Sequence, residues 1–520
     1  MRALIVGAGP GGLSAAINLA GLGLDVTVVE KEAIPGGRMR GLTMGDYQVD
    51  TGPSIMQLPQ VLERIFRRAG RRIEDYVSLV RVDPSTRIHF WDGTHLDTSS
   101  DVEKMKAEVA RLDPKLAPAL ERWLAHSAEK YGIAYEKFIS HPADSLAYYS
   151  PFRLWETLKF KPWQTLYNHL DEYFHDDRLT YALSYPSKYL GLHPTTCSSV
   201  FSVIPYLEMA FGVWHVMGGF RELAKGMMRC ATDLGAQFRM SSPVERVLVE
   251  NGQAMGVVLT TGETLSADVV IINADLPAAA QQLVPPSARE GTRLSDAKLK
   301  RAKYSCSTFM LYLGLDTVYD QLPHHSIYLS NATRRTDRAA LEDEAIDLED
   351  PPFYALNPTP TDPAGAPPGH STLYVLVPTP NTHRPVDWKQ AEAALLKKVP
   401  VWLEKVGAKD VAKHIRTQRT FTAETWRDDF NVFRGAVFNL SHTWLQLGPM
   451  RPHVESPDIK GLFWVGGGTH PGSGLLTIME SANICAYAIA TKYLGRDGLQ
   501  DWPYTPPLGS LPTGPGSAGG

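Results

Sequence analysis

The first thirty residues constrain the fold more than any other part of the chain. They predict a strand, RALIV, then a glycine turn, GAGPGG, a helix, LSAAINLAGLG, and a second strand, DVTVVE. Gly7, Gly9 and Gly12 form the pattern G-x-G-x-x-G between strand and helix, the context in which this motif is informative. The first glycine permits a tight turn, the second lets the backbone approach a pyrophosphate, and the third allows close packing of helix on strand. The sequence therefore predicts a Rossmann-type βαβ unit whose helix N-terminus faces phosphate.

The residues at and after the end of the second strand define the dinucleotide more closely. Glu30 lies eighteen residues after Gly12, where a carboxylate can accept hydrogen bonds from the adenosine ribose hydroxyls and disfavours a 2′-phosphate. The stretch EKEAIPGGRMRG then adds a second glycine-rich turn, in which Gly36 and Gly37 let the backbone close on the pyrophosphate. Arg38 supplies a fixed cation to the same group. This second stretch favours FAD over NAD, although a surface arginine is the plainer alternative for Arg38.

A third glycine-rich stretch lies near the C-terminal end, in FWVGGGTHPGSGLLTIMES. It predicts a strand that ends in Gly466–Gly468 and a helix that begins after Gly474. The N–H groups of Leu476 and Thr477 at such a helix start can point at a flavin ring. There they stabilise the negative charge that builds on the N1–C2=O edge upon reduction. An ordinary helix N-terminus is the alternative.

Length and composition are typical of a globular enzyme. At 520 residues the chain exceeds what one hydrophobic core supports, so two domains are expected. Its 43% hydrophobic and 21% charged residues and its net charge of -4 argue against a nucleic-acid binder. The four cysteines lack the spacing of a metal site or redox pair, so we expect no metal and reduced core cysteines. The chain opens directly on a strand without the features of a signal peptide, which predicts a reducing, cytoplasmic location.

The pattern along the chain predicts an α/β protein built from two interleaved domains. Residues 95–200 are helical and aromatic in pattern, residues 243–273 predict a β-meander and a buried parallel strand, and residues 285–450 predict a mixed sheet. We therefore expect a Rossmann-type FAD-binding domain and a mixed-sheet substrate domain that carries a helical cap. The expected boundaries are 1–95, 215–285 and 455–495 for the first domain, 96–214 and 286–454 for the second, and 496–520 for a disordered tail.

The sequence contains no run of about 18 uncharged apolar residues, so a membrane-spanning helix is not expected. Residues 152–167 interleave aromatic and aliphatic side chains with Arg153, Lys159 and Lys161, as segments at a membrane interface often do. A cap helix packed on its own domain is the alternative for this segment.

Taken together, these stretches resemble the bacterial phytoene desaturase family of carotenoid desaturases, within the wider flavin amine oxidase and Rab GDP-dissociation-inhibitor superfamily. The resemblance extends over nearly the whole chain and includes DTGPS at 50–54, VWHVMGGFRELAKGM at 213–227, INADLP at 272–277 and VGGGTHPGSGL at 465–475. It implies that FAD is contacted by Gly7, Gly9, Gly12, Glu30, Arg38, Val244, Gly468 and Thr477. Val244 is expected to act through its backbone near the adenine. The stretch 474–481 departs from the phytoene-specific pattern, which leaves room for a later desaturase acting on a modified carotenoid end.

The resemblance implies chemistry that inserts a double bond into a polyene, in which a hydride and a proton leave adjacent carbons. No side chain accepts a hydride, whereas a flavin does. The expected site is a tunnel lined by the cap at 145–215 and the strands at 304–330, and a lipophilic carotenoid substrate favours docking at a membrane surface. Oxygen or a quinone would reoxidise the flavin. The catalytic base is left unassigned, because Glu480 lies a turn inside its helix and a single histidine such as His470 is more often a hydrogen-bonding partner.

Three other functions stay open at this point. A flavin-dependent carotenoid isomerase or saturase would use the same site. An amine oxidase would need an aromatic cage or a lysine facing the flavin. A non-catalytic binding protein similar to the Rab inhibitors would keep the scaffold without redox chemistry, although the intact set of Gly7, Gly9, Gly12 and Glu30 argues against it.

Overall fold

The computed structural model describes residues 1–143, 155–334, 346–496 and Leu499. Its strands, in chain order, are β1 (Arg2–Val6), β2 (Asp25–Val29), β3 (Gly41–Met44), β4 (Tyr47–Asp50), β5 (Leu79–Val82), β6 (Thr86–His89), β7 (His95–Thr98), β8 (Val213–Val216), β9 (Gln237–Arg239), β10 (Val244–Glu250), β11 (Gln253–Leu259), β12 (Thr264–Ser266), β13 (Val269–Ile272), β14 (Ser307–Leu315), β15 (His325–Tyr328), β16 (Phe353–Leu356), β17 (Ser371–Thr379), β18 (Ile415–Phe421) and β19 (Leu462–Trp464). Its α-helices are α1 (Pro10–Gly21), α2 (Pro59–Arg68), α3 (Val102–Leu112), α4 (Leu116–Ala134), α5 (Leu166–Phe174), α6 (Asp177–Ser184), α7 (Val203–Phe211), α8 (Phe220–Asp233), α9 (Leu276–Leu283), α10 (Pro286–Arg289), α11 (Asp296–Arg301), α12 (Trp388–Leu403), α13 (Val411–His414), α14 (Ala423–Asp428) and α15 (Leu475–Lys492).

A five-stranded parallel sheet in the order β19-β13-β1-β2-β9 carries the βαβ opening. Ile5 of β1 lies opposite Ile271 of β13 and Val28 of β2. All four residues of β13 are buried, as expected for a parallel strand that is covered on both faces. The helix α1 packs against α8 and α15, which come from the middle and the end of the chain. The predicted βαβ unit, and the return of later segments to its sheet, are confirmed.

The strands β10, β11 and β12 form a three-stranded antiparallel sheet. This sheet covers the face of the parallel sheet that carries Leu4 and Val6. Asn251 and Gly252 have φ values of 50° and 74° at its first turn, and Gly262 has φ of 84° at its second. These are left-handed conformations that glycine and asparagine adopt at low cost. The predicted meander is confirmed, with its turns at the predicted residues.

A seven-stranded mixed sheet in the order β18-β14-β17-β16-β15-β6-β7 forms the second half of the fold. Its neighbouring strands are antiparallel except β15 and β6, which are parallel. All nine residues of β14 are buried, and one side of the sheet packs on α12 through Leu395, Val399 and Leu403. Part of this sheet comes from residues 86–98, although the sequence places residues 1–95 in the dinucleotide domain. The division of the chain into two domains with those boundaries therefore stays a prediction.

The helices α3 to α7 form an aromatic-rich layer, in which α4 contacts α3, α5 and α7. The carboxylate of Asp101 accepts hydrogen bonds from Glu103 N at 3.0 Å and Lys104 N at 3.2 Å and so caps the start of α3. None of the helices in the described ranges is long and apolar enough to cross a membrane. Residues 152–154 of the predicted interfacial segment, and nearly all of the predicted tail, lie outside the described residues.

Candidate active site

A cavity of about 1450 Å³ is bounded by the parallel sheet, the mixed sheet and the helical layer. Pockets for one small ligand span roughly 300–1,000 Å³, so this volume has room for two ligands side by side. The glycine turns after β1 and β19 form one part of its wall. Another part is apolar, and its lining includes Phe138, Phe160, Ile204, Leu207, Leu376 and Trp444. The cavity therefore joins a predicted cofactor site to an apolar space.

The first glycine turn has the geometry that its sequence predicts. Gly7 has φ of 100°, a conformation that a side chain disfavours, and a Cβ there would overlap the carbonyl oxygen of Asn273. A Cβ on Gly12 would overlap the carbonyl oxygen of Gly7, so only glycine allows α1 to approach β1 this closely. Gly9 is the N-cap of α1 and offers no side-chain oxygen to its first N–H groups. Gly7 and Gly9 line the cavity, whereas Gly12 packs beneath it.

Glu30 stands at the cavity wall directly after β2. Its Oε2 accepts a hydrogen bond from Ala8 N at 2.6 Å, and its Oε1 accepts one from Glu32 N at 2.9 Å. The carboxylate is thereby held beside the first glycine turn, with lone pairs left for further donors. Val244 also lines the cavity. It lies near Glu30 because Ser242, two residues before Val244, donates from its N–H to Glu30 O at 2.7 Å. This is where an adenosine ribose would be bound.

The second glycine-rich stretch packs directly on the first. Gly36 N donates to Ala8 O at 2.8 Å, and a Cβ on Gly37 would lie 3.4 Å from the Cα of Gly9. Arg38 follows on the cavity wall, and its Nη1 donates to Val437 O at 2.6 Å. Burial lowers the pKa of Arg38, and the charge of Asp275 partly offsets that effect. The structure thus brings Gly9, Gly37 and Arg38 together around one space.

The third glycine-rich stretch supplies a second helix start on the cavity wall. Gly474 has φ of 110° and is the N-cap of α15 without a side-chain cap. Thr477 lines the cavity, and its hydroxyl donates to Ser473 O at 2.6 Å. Gly468, by contrast, does not border the cavity, because it packs against Leu276, whereas Gly466 and Gly467 are at the wall. The assignment of Gly468 as a cofactor contact stays a prediction.

Glu480 and His470 have structural partners. The carboxylate of Glu480 is fully buried, accepts hydrogen bonds from Arg64 and the Tyr135 hydroxyl, and does not border the cavity. His470 lines the cavity, and its Nε2 lies 2.9 Å from His141 O. Burial lowers the pKa of His470 to about 4, so the ring is neutral at pH 7.

Sequence reasoning assigned no role to two polar residues after β13. Asn273 Nδ2 donates to Gly7 O at 3.1 Å. A Cβ added to Gly9 or to Gly12 would lie only 2.9 Å from this nitrogen. Asp275 lines the cavity and accepts a hydrogen bond from Asn439 Nδ2 at 2.6 Å. Burial raises the pKa of Asp275, and Arg38 lowers it. The sequence does contain a feature that points to these two residues, because Asn273 and Asp275 follow directly after a buried strand in INADLP. In parallel sheets, ligands bind at the carboxyl ends of the strands.

The residues on the wall fit FAD. Two long helices, α1 and α15, begin at glycines on the cavity wall and leave their first N–H groups without side-chain caps. Such helix starts bind phosphate and other anionic groups, and Arg38 adds a cation to the same cavity wall. Within the described residues, no group of three or more histidine, cysteine, aspartate or glutamate side chains is placed to hold a metal ion.

Comparison with known proteins agrees with this site. The sequence profile described as flavin containing amine oxidoreductase matches residues 10–490. An all-trans-zeta-carotene desaturase from Myxococcus xanthus is 69% identical over 508 residues, which cover 97% of this chain and 96% of that protein. A zeta-carotene-forming phytoene desaturase from the same organism is 35% identical, covering 94% of each chain.

Solved structures of oxidoreductases share the fold at low sequence identity. An oxidoreductase from Methanosarcina mazei has a TM-score of 0.61 at 17% identity, over 93% of this chain and 99% of that one. A putrescine oxidase bound to putrescine has a TM-score of 0.59 at 13% identity, over 95% and 100% of the two chains. The protein therefore belongs to the flavin containing amine oxidoreductases, and within them to the carotenoid desaturases, with FAD as its cofactor.

Proposed function

We propose that this protein is an FAD-dependent desaturase of acyclic carotenoids and that it prefers a partly desaturated substrate such as ζ-carotene to phytoene. The observation that carries the proposal is the single cavity that joins the two uncapped helix starts to a wall of apolar and aromatic side chains. A long polyene needs such an apolar space beside the flavin. The preference for ζ-carotene is supported by the identity of 69% to the zeta-carotene desaturase against 35% to the zeta-carotene-forming phytoene desaturase.

The residues of this chain position the two reactants. When bound, FAD accepts the hydride that leaves the substrate. Glu30 and the backbone at Gly9 and Gly37 would hold the dinucleotide part of FAD, and the N–H groups at the start of α15 would stabilise the negative charge that develops on reduction. The apolar wall excludes water and orients the polyene. Removal of the two hydrogens then takes place within one complex and is effectively unimolecular.

Expression in carotenoid-producing cells tests the substrate preference. In cells that accumulate ζ-carotene, we expect a red-shifted product that is lighter by two hydrogens for each new double bond. In cells that accumulate phytoene, we expect little conversion at the same protein level. Absorption and mass spectra of the extracted pigments, compared with an empty-vector strain, give the result.

Faster conversion of phytoene would overturn the preference but leave the desaturase function intact. Pigments of unchanged mass in both strains, with FAD bound to the purified protein, would contradict desaturation. A change of isomer alone would then indicate an isomerase, and a heavier product a saturase. Turnover of an amine by the same preparation would indicate an amine oxidase.

We also propose that the protein docks peripherally on a membrane beside the cavity. Trp155, Leu158 and Trp163 are 68%, 44% and 69% exposed, and residues between them, Thr157 and Phe160, line the cavity. A second exposed apolar group, Trp444, Leu445 and Met450, also adjoins the cavity wall. Exposed tryptophans beside an apolar tunnel are typical of interfacial segments. Docking would let a lipophilic substrate pass from lipid to the flavin, and would place a membrane quinone within reach as an alternative to oxygen.

Docking is expected to depend on tryptophans more than on lysines. Lys159 Nζ pairs with Glu129 at 2.7 Å, and Lys161 Nζ pairs with Glu172 at 2.6 Å, so neither cation is left unpaired for a lipid headgroup. We expect Trp155→Ala combined with Trp163→Ala to weaken binding to phosphatidylcholine vesicles by about tenfold for each tryptophan, from the lost burial of the rings. Vesicle flotation measures the partition.

The control is Val401→Ala on α12, which removes another exposed apolar side chain, 61% exposed, and is expected to bind vesicles like the unmodified protein. Raising the content of phosphatidylglycerol should change binding little. Equal flotation of the double tryptophan variant and the control would contradict docking through this segment.

A further inference from the structure

Arg451 is a fully buried arginine behind the cavity wall. It is 0% exposed, and its guanidinium donates to four backbone carbonyl oxygens. These oxygens belong to Thr469 at 3.1 Å, Gln446 at 3.2 Å, Leu440 at 3.3 Å and Gly467 at 2.6 Å. The guanidinium therefore joins the turn after β19 to the segment 440–446.

In the described part of the chain, this guanidinium has no carboxylate partner. Burial lowers the pKa of Arg451 to about 9, so the group is still charged at pH 7. Two other buried arginines, Arg64 and Arg289, pair with the carboxylates of Glu480 and Asp296. Burying a charge without a counterion is costly for a fold, so the retained charge of Arg451 calls for a functional reason.

Two glycines bring the charge of Arg451 close to the cavity. Gly467, whose carbonyl oxygen accepts the hydrogen bond of 2.6 Å, lines the cavity. Gly472 lines it as well, and a Cβ there would lie 3.8 Å from Arg451 Nε. Because neither residue has a side chain, the guanidinium lies directly behind the backbone of the wall. Gly474, the N-cap of α15, follows Gly472 by two residues.

The imidazoles beside Arg451 do not add to its charge. His442 Nε2 accepts a hydrogen bond from Ser473 N at 3.1 Å. Burial lowers the pKa of His442 well below its ordinary value, and the charge of Arg451 lowers it further. Burial lowers the pKa of His470 to about 4. Both rings are therefore neutral at pH 7, and the positive charge at this turn is that of Arg451.

Negative charge develops in the cavity when the cofactor is reduced. In the proposed reaction, one carbon of the polyene loses a hydride, which carries two electrons, one proton and one unit of negative charge to the flavin. The adjacent carbon loses a proton, and the electron pair of that C–H bond becomes the new π bond. A fixed positive charge in a site without water stabilises such a developing charge with little reorganisation.

We infer that Arg451 is a positioning residue whose buried charge stabilises the negative charge that bound FAD gains on reduction. The charge acts across the backbone at Gly467 and Gly472 and adds to the effect of the N–H groups at the start of α15. The inference rests on the placement of the flavin at the start of α15, which is part of the proposed function. It makes Arg451 a determinant of the midpoint potential of the bound cofactor, and hence of the driving force for hydride transfer.

The test measures the midpoint potential of FAD bound to the unmodified protein, to Arg451→Met and to Arg451→Lys at pH 7. Reductive titration beside a dye of known potential gives this value from the flavin absorbance, without any carotenoid. We expect the midpoint of the unmodified protein to lie above that of free FAD, because the reduced form is bound more tightly. Arg451→Met should lower the ratio of reduced to oxidised affinity about 100-fold, which lowers the midpoint by about 60 mV. Arg451→Lys keeps the charge and should stay within about 30 mV of the unmodified protein.

The matched control is Arg289→Met. Arg289 is also buried and donates to a backbone carbonyl, that of Val284 at 3.2 Å, but it is paired with Asp296 and does not border the cavity. This variant should lose stability and keep the midpoint of the unmodified protein. A change of less than tenfold in the affinity ratio of Arg451→Met, or an equal shift in Arg289→Met, would mean that Arg451 is structural only and would overturn the inference.

The unmodified protein supplies a second readout that does not depend on the folding of Arg451→Met. A reduced flavin that keeps its negative charge takes up one proton with two electrons, whereas a neutral reduced flavin takes up two. The slope of the midpoint with pH gives this number for bound and free FAD in the same buffers. At the mildly acidic pH values where free FAD takes up two protons, we expect the bound flavin to take up one. Uptake of two protons by the bound flavin, or a midpoint at or below that of free FAD, overturns the inference.

Failure of the proposed function has a different signature. An unmodified protein that shows the expected midpoints but converts no carotenoid contradicts the desaturase function and still supports the role of Arg451. An unmodified protein that binds no FAD overturns both.

Discussion

The Gly12→Ala variant is expected to purify without FAD and with its free energy of unfolding lowered by about 3 kcal/mol or more. The added methyl group would overlap the carbonyl oxygen of Gly7, a backbone atom at the end of β1. Neither backbone segment can yield unless α1 moves away from the sheet, and that movement opens the turn on which the pyrophosphate would lie. The FAD absorbance of purified protein measures cofactor retention. The urea midpoint of FAD-free protein measures the loss in free energy of unfolding.

Gly9→Ala is the matched control from the same motif. Its methyl group would lie 2.9 Å from Nδ2 of Asn273, the end of a side chain that can rotate. We expect the FAD-free Gly9→Ala protein to unfold near the urea midpoint of the unmodified protein, although its affinity for FAD falls. The larger Gly9→Val change should abolish FAD retention. Stoichiometric FAD in purified Gly12→Ala or Gly9→Val would show that this turn does not hold the pyrophosphate.

Removing the buried carboxylate of Glu480 is the second change with a large expected effect. In Glu480→Gln, the guanidinium of Arg64 keeps its charge in a fully buried position and loses the carboxylate that it pairs with. Breaking a buried ion pair in this way costs about 3–5 kcal/mol. The pair joins α2 to α15, and the hydroxyl of Tyr135, directly after α4, is bonded to the same carboxylate. The urea midpoint of FAD-free protein measures the loss.

Two further variants test whether the stability lost in Glu480→Gln comes from the buried charge of Arg64. Replacing both partners, with Arg64→Met and Glu480→Met together, is expected to recover most of the stability, because neither charge of this pair then remains buried. The exposed pair of Arg239 and Glu263 provides the surface control, and Glu263→Gln should shift the midpoint little. If Glu480→Gln is as mild as Glu263→Gln, the buried pair does not stabilise the fold.

The parts of the fold set by local chemistry could be predicted from the sequence. Gly7 and Gly12 follow from the turn geometry, and the strand β14 follows from its short apolar run at 309–313. The partner of Glu480 could not be predicted, because Arg64 is 416 residues away in the chain.

The same limit applies to the third glycine stretch. Sequence pattern and resemblance place Gly466 and Gly468 in one turn without telling which glycine faces the cavity. The path of the chain after β19 decides this, because Gly468 turns towards Leu276. That path depends on α9, which is built from a distant part of the sequence.

The position of β19 and α15 has a consequence for how the protein is made. The ribosome releases residues 462–492 long after β1, α1 and β2, yet they form the edge strand beside β13 and the helix start at the cavity wall. A nascent chain that has already formed β1, α1 and β2 still lacks that wall. FAD can therefore find its complete site only on chains in which residues 462–492 have already left the ribosome and folded.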